Sequence, residues 1–247
     1  MADRAGSLLG AVAGTALAPW LALGSFVRNA RVFHPRGVLL WGSVSSATNE
    51  EPWRNLAARL EGSVLARFSG AWWKQRQWPD VLGCALRFTR ARAPSLDPLA
   101  DDQDLLLATV RVPLTTLLSP LTTHVRDYLA NSYFGVSPFE AEALGRVKVR
   151  LSPEHTAPPR GGRGERLAAA LAEGPISLLL EVRPARLGAA YQPLARVELA
   201  MRVDLDQEQL RFDPFRSGRK LRPAGFIHGL RLPVYAASRA ARRAGAA

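Results

Sequence analysis

His34 lies in the run Arg31-Val32-Phe33-His34-Pro35-Arg36-Gly37, immediately ahead of a strand-like stretch. An imidazole in that place has the chemistry of a proton shuttle, because its charge changes near neutral pH. Taken alone, it is one of four histidines and carries little weight. Arg67 and Ser69 follow in Arg67-Phe68-Ser69, two residues apart and therefore on one face of a strand. Near the other end stands Arg231-Leu232-Pro233-Val234-Tyr235, with Arg239 and Arg242 after it. On a helix, residues four apart are neighbours. A guanidinium beside Tyr235 favours the tyrosinate, the form that binds ferric iron. Arg242, seven residues on, returns to the same helix face.

Strands must position most of these groups. The 20 glycines and 18 prolines suit many turns and short strands better than long helices. Residues Gly37 to Val44, Ser63 to Ser69, Leu82 to Thr89, Asp104 to Val112, Arg146 to Leu151, Ile176 to Val182 and Leu194 to Leu205 read as strands, with Leu210 to Phe212 as a short last one. In Arg146 to Leu151, cations alternate with Val147, Val149 and Leu151, which gives a half-buried strand with a basic outer face. Short helices are expected at Leu56 to Leu60 and Arg166 to Ala172, and a helical insert at Leu121 to Ser132, followed by a second helical piece at Phe139 to Leu144. Residues 158–164 read as a solvated, mobile basic loop. Leu230 to Arg243 reads as a basic amphipathic helix that Pro233 starts. About eight strands at short spacing predict an α+β fold: a closed antiparallel eight-stranded β-barrel with peripheral helices. Two parts are expected, an N-terminal helical segment over residues 1–30 and one domain over 31–247.

Composition narrows the function classes. The chain has 247 residues, 47% of them hydrophobic, enough for one substantial core. Its net charge of +12 comes from 33 cationic against 21 acidic residues, and the only lysines are Lys74, Lys148 and Lys220. An arginine excess suits nucleic acid, an anionic membrane or an acidic ligand, and GC-rich codon usage gives the same excess. The arginines are scattered and not interleaved with aromatics, so no nucleic-acid partner is expected. A single cysteine, Cys84 in an apolar run, excludes a disulfide framework and a cysteine-rich metal site, and reads as a small buried side chain. Ala5 to Val27 carries no charge, yet Pro19 and many small residues keep it short of a strong membrane span. A docked or peripheral helix is expected there, with export or anchoring as the alternative. His124, His155 and His228 read as structural or exposed. Trp72, Trp73 and Trp78 read as a loop packed on the barrel.

The order and spacing of these runs resemble the haem catalase superfamily. Arg31 to Gly37 resembles its Arg-Val-Val-His-Ala-Arg/Lys-Gly motif, Arg67 to Ser69 its Arg-Phe-Ser strand, and Asp80 to Phe88 its Asp-x-Arg-Gly-Phe-Ala-x-Lys-Phe segment. Asp104-Leu105 matches the Asp-Leu that follows, and Arg231 to Tyr235 matches the Arg-x-x-x-Tyr proximal motif. Asp213-Pro214-Phe215 and Pro223-Ala224-Gly225 resemble the segment that leads to it. The resemblance implies haem b as cofactor and Tyr235 as the ligand of its iron, with Arg231 stabilising the phenolate. It implies His34 as the distal base, oriented by Ser69, and Arg31, Arg67 and Arg242 as propionate partners. Val32 and Phe33 would pack near the ring.

Two departures shift the expected activity. Where the family carries a distal asparagine this chain has Ala108, and the neighbouring Thr109 offers only a hydroxyl. The chain is also about half the length of ordinary catalases, which implies a form without their arms and C-terminal domain. It looks more like the minimal catalase-like peroxidases or the hydroperoxide-processing relatives such as allene oxide synthases. The expectation is a haem peroxidase (an oxidoreductase of oxidative-stress type) that reduces or rearranges organic hydroperoxides, with weak catalase activity at most. The alternative is a non-catalytic protein that holds haem or another apolar ligand in a catalase-like barrel. The expected partners are haem and a hydroperoxide. Peripheral membrane contact and a homodimer stay open. The expected location is the cytoplasm, with membrane association left open.

Overall fold

The computed structural model of the chain describes residues 37–71, 77–111, 119–135, 138–142 and 144–224. The barrel strands are β1 (Gly37–Ser46), β2 (Gly62–Gly70), β3 (Leu82–Thr89), β4 (Gln103–Ala108), β5 (Tyr133–Phe134), β7 (Gly145–Pro153), β8 (Ile176–Pro184) and β9 (Gln192–Arg202). They run antiparallel in the order β7-β5-β4-β3-β2-β1-β9-β8, and the pairing of β8 with β7 closes the circle. A short strand β6 (Phe139–Ala141) continues the β7 edge beyond β5, and β10 (Leu221–Pro223) pairs with β6. The expected closed eight-stranded barrel is therefore what forms.

Alternation along each strand explains the core. Val64, Ala66 and Phe68 of β2 point inward with Leu82, Cys84 and Leu86 of β3 and Val147, Val149 and Leu151 of β7, in one continuous apolar cluster. Phe68 sits at its centre, with ring centroids 5.4 Å from Tyr128 and 5.8 Å from Tyr133. Helix α1 (Arg54–Leu60) contributes Leu56, Ala57 and Leu60 to this core. Helix α3 (Arg163–Glu173) contributes Leu167. Cys84 is buried inside the barrel, as expected, and burial pushes its thiol well above the usual range.

The residues of β1 to β4 that alternate with these point outward and form a second layer, from odd positions in β1 to β3 and even positions in β4. Leu39 and Leu65 pack there with Leu210 and the half-buried Trp41, Val203, Leu205 and Phe212. The chain leaving β9 thus crosses the outside of β1 to β4 as a strap before it reaches β10. That cover is why β2 is buried on both faces.

Three local expectations are corrected. The stretch Leu121 to Ser132 is not one helix: a short α2 (Ser119–Thr122) is followed by turns and a 3-10 turn at Tyr128–Ala130. The Asp127 carboxylate accepts from the Leu129 N–H at 2.8 Å, and Asn131 bonds both the N–H and the C=O of His124. Such side-chain bonds to local backbone displace helix. The eighth barrel strand, β5, follows directly. Phe139 to Leu144 is not helical either, because Phe139 and Ala141 are buried on either side of exposed Glu140, a strand's period of two. Leu210 to Phe212 belongs to the strap, and the last strand is β10 instead. In addition, β4 ends at Ala108 rather than near Val112.

Residues 158–164 are solvated only in part: Pro159, Arg160 and Gly161 are exposed as expected, and Arg163 is buried. They lead into α3, where Gly162 N–H donates to Glu165 at 2.7 Å and Arg166 donates to the carbonyls of Gly161 and Pro159. Arg163 is buried against Asp80 rather than solvated. His124 and His155 are exposed, and Trp78 is 53% exposed. The expectations for residues 1–30, Trp72, Trp73, His228 and Leu230 to Arg243 lie outside the described residues. Among the described residues, no helix is long and apolar enough to cross a membrane.

Candidate functional site

Register alone assembles a face on the outside of β1 to β4. Gly37 pairs with Ser69, Ser69 with Gly83, and Gly83 with Ala108, so these four residues form one cross-strand row of small side chains. The next row is Leu39, Arg67, Ala85 and Leu106. The third is Trp41, Leu65, Arg87 and Asp104, which lies under the strap. The sequence motifs Arg67-Phe68-Ser69 and Asp104-Leu105 therefore meet on one surface, and Ser69 lies beside the strand start that follows His34.

Arg67 is only 5% exposed, and burial lowers its pKa to about 10, with Tyr128 acting in the opposite direction. Its Nε donates to Gln207 Oε1 at 3.4 Å. Gln207 comes from the strap and uses both ends of its amide on Gly37. Its Oε1 accepts the Gly37 N–H at 2.8 Å, and its Nε2 donates to the Gly37 carbonyl at 2.7 Å. One side chain thus acts as an extra strand partner for the first residue of β1 and holds Arg67 next to it. Gln207 was not legible as a site residue. Nothing in Asp206-Gln207-Glu208 marks it, and its role exists only once the strap crosses β1.

Asp104 anchors the strap from beneath. It is fully buried, accepts from Arg87 Nε at 3.1 Å and from the Asp213 N–H at 2.8 Å, and is bonded by Arg216 Nη1. Arg87 also donates to the Arg211 carbonyl and lies 5.1 Å from the centroid of Phe212. Next to it, Gln103 bonds the carbonyls of Arg216 and Leu221 and the N–H of Leu221. The Asp-Leu motif and the Asp213-Pro214-Phe215 segment are therefore two halves of one clamp. It fixes the strap against β4 just ahead of β10.

Ala108 packs against Ala71, Val81 and Val110, so the place expected to lack a donor is an apolar corner. Thr109 does not replace that donor. Its hydroxyl accepts from the Leu82 N–H at 3.1 Å and bonds the Thr123 hydroxyl at 2.9 Å. Asp80, at the head of the other motif, is fully buried; it caps the Val81 N–H at 2.8 Å and lies 3.8 Å from Arg163. Arg163 in turn sits 5.8 Å from the Tyr128 ring centroid. Burial pushes the Tyr128 hydroxyl up, and Arg163 draws it back. The structure brings together Arg67 and Ser69 of the expected site. Arg31, Val32, His34, Arg231, Tyr235 and Arg242 lie outside the described residues. Among the described residues, no cluster of three or more His, Cys, Asp and Glu is arranged to hold a metal ion.

Comparison with solved structures gives the barrel its relatives. The chain is similar to a fungal catalase, with a TM-score of 0.58 at 13% identity, covering 89% of this chain and 61% of that one. It is similar to catalase A from Saccharomyces cerevisiae, with a TM-score of 0.56 at 12% identity, covering 89% of this chain and 62% of that one. The chain thus spans less than two thirds of the length of either catalase. No protein-family model and no curated protein sequence matches it. At these identities the likeness concerns architecture, and on that ground the chain has a catalase-like β-barrel fold.

Proposed function

We propose that the chain binds haem b and acts as a catalase-like peroxidase on organic hydroperoxides, with weak catalase activity at most. The observation that carries this reading is the row Gly37, Ser69, Gly83 and Ala108 beside the buried guanidinium of Arg67. The described half of the site fits the group. A flat macrocycle needs a surface without bulky side chains, and its propionates need a fixed cation, for which arginine is suited.

When bound, the group supplies a ferric iron able to split a peroxide O–O bond. Tyr235 would hold the iron, and Arg231 would keep its phenolate ionised. Arg31, Arg67 and Arg242 would hold the propionates, with Arg67 kept in place by Gln207. His34 would move a proton between the two peroxide oxygens, with Ser69 orienting its ring. Ala108 leaves the distal corner apolar, which favours a substrate with an organic substituent over hydrogen peroxide. Rearrangement needs no further reactant, whereas reduction to the alcohol draws on an external reductant.

The test compares consumption of cumene hydroperoxide and hydrogen peroxide by haem-loaded protein. The organic substrate should react at least tenfold faster, and His34→Ala should lose about a hundredfold, the usual scale for removing a general acid–base group. Ala108→Asn should raise hydrogen peroxide turnover by about tenfold or more, as a restored donor would. Equal rates on both peroxides in the wild type, with no effect of Ala108→Asn, would overturn the substrate assignment. A second reading, haem held without turnover, is favoured by the packing of Ala108 and by the prior commitment of the Thr109 hydroxyl. It predicts a haem spectrum with no peroxide consumed.

A further inference from the structure

The strand that carries Gly37 and Leu39 on its outer face carries Val38 and Leu40 on the other. There, helix α3 lies across the barrel mouth and leaves a cleft of about 350 Å³ between itself and β1. That volume falls at the lower end of small-ligand clefts. Leu40 and Leu167 make its closed floor, each 1% exposed. Val38 and Leu171 are half-buried walls, and Ala168 and Ala172 are exposed at the rim. Leu167 and Leu171 are one helical turn apart, as are Ala168 and Ala172. The helix therefore presents a large stripe beside a small one, and the small stripe keeps the cleft open.

Among the described residues one polar side chain lines this cleft, Arg202 at the end of β9. It is the cross-strand partner of Leu40, so it stands on the barrel-mouth side of the sheet and not on the outer face. Arg202 is exposed, and among the described residues its guanidinium makes no hydrogen bond or ion pair. The other exposed β9 arginine, Arg196, is taken by Glu154 at 3.0 Å. A guanidinium at one end of an apolar slot matches a carboxylate joined to a hydrocarbon chain. It matches a nucleotide or a sugar poorly, since among the described residues no aromatic side chain and no second polar side chain lines the slot.

We propose that this cleft binds a free medium-chain carboxylate, with the acyl chain between α3 and β1 and the head group on Arg202. The site is separate from the outer face assigned above and does not rest on haem binding.

Titration of the full chain, without added haem, with decanoate below its micelle concentration tests this by calorimetry. Saturable binding is expected, weakened about tenfold or more in Arg202→Gln. Decan-1-ol should bind the wild type more weakly than decanoate and should bind Arg202→Gln no differently from the wild type. Ala168→Trp fills the cleft from an exposed helix position, so the fold is retained by circular dichroism while binding is lost. Absence of decanoate binding to the wild type would overturn the proposal. So would binding unchanged in both Arg202→Gln and Ala168→Trp, which would place the fatty chain elsewhere on the molecule.

Discussion

At the scale of single residues, Arg67 carries the most informative tension. Its charge sits where water barely reaches, and burial lowers its pKa from the ordinary guanidinium range to about 10. A cation whose folded pKa is depressed releases its proton from the folded chain first, so above that value the fold gains stability relative to the unfolded state. Arg67→Met keeps the length and removes the charge. The ligand-free variant should be as stable as the wild type or more so, with the difference narrowing as pH rises through about 10. Haem affinity of the same variant should fall about tenfold, since a charge-assisted bond is removed. Chemical unfolding and haem titration read the two effects separately; a variant both unstable and unaffected in haem affinity would make Arg67 merely structural. Cys84 offers a second measurement. As the one thiol, buried and held in its protonated form, it should react with a disulfide reagent only as fast as the barrel opens. Rapid labelling in native buffer would contradict the described core. Ala108 was legible as a small residue four positions after Asp104, whereas its apolar surroundings depend on contacts far along the chain. Gln207 was not, because a surface-like glutamine in an acidic run acquires its partners only through tertiary contact.

At the scale of elements, the strap matters most. Its hold depends on Asp104, buried between Arg87 and Arg216. Asp104→Asn removes the charge that balances Arg87 in the interior and should cost about 3–5 kcal/mol in urea unfolding. Asp104→Leu combined with Arg87→Met should recover part of that loss, because the fully buried cation leaves with its partner and only the less buried Arg216 is left without a carboxylate. Additive losses in the pair would argue against a shared buried interaction. Strands with strict alternation, such as β7, were readable in the sequence, since one face must be buried. The region from Leu121 to Leu144 was not. There, Asp127 and Asn131 bond nearby backbone, and a two-residue strand leaves no period to detect. The eighth stave of the barrel was therefore counted correctly but placed at Leu210 to Phe212, in the strap.

At the scale of the whole molecule, closure of the barrel determines what meets on its surface. Four consecutive strands, β1 to β4, bring Gly37, Ser69, Gly83 and Ala108 into register across more than seventy residues of sequence. The motif order suggested this assembly, and the antiparallel meander explains it: neighbours in sequence are neighbours in the sheet. The central claim is that this face, with Tyr235, holds a haem. The most direct measurement is the absorption spectrum of protein reconstituted with haem, for the wild type and for Tyr235→Phe. The account predicts a Soret band in the wild type that is displaced or lost in the variant. A wild type that takes up no haem, or a spectrum that Tyr235→Phe leaves unchanged, would contradict it.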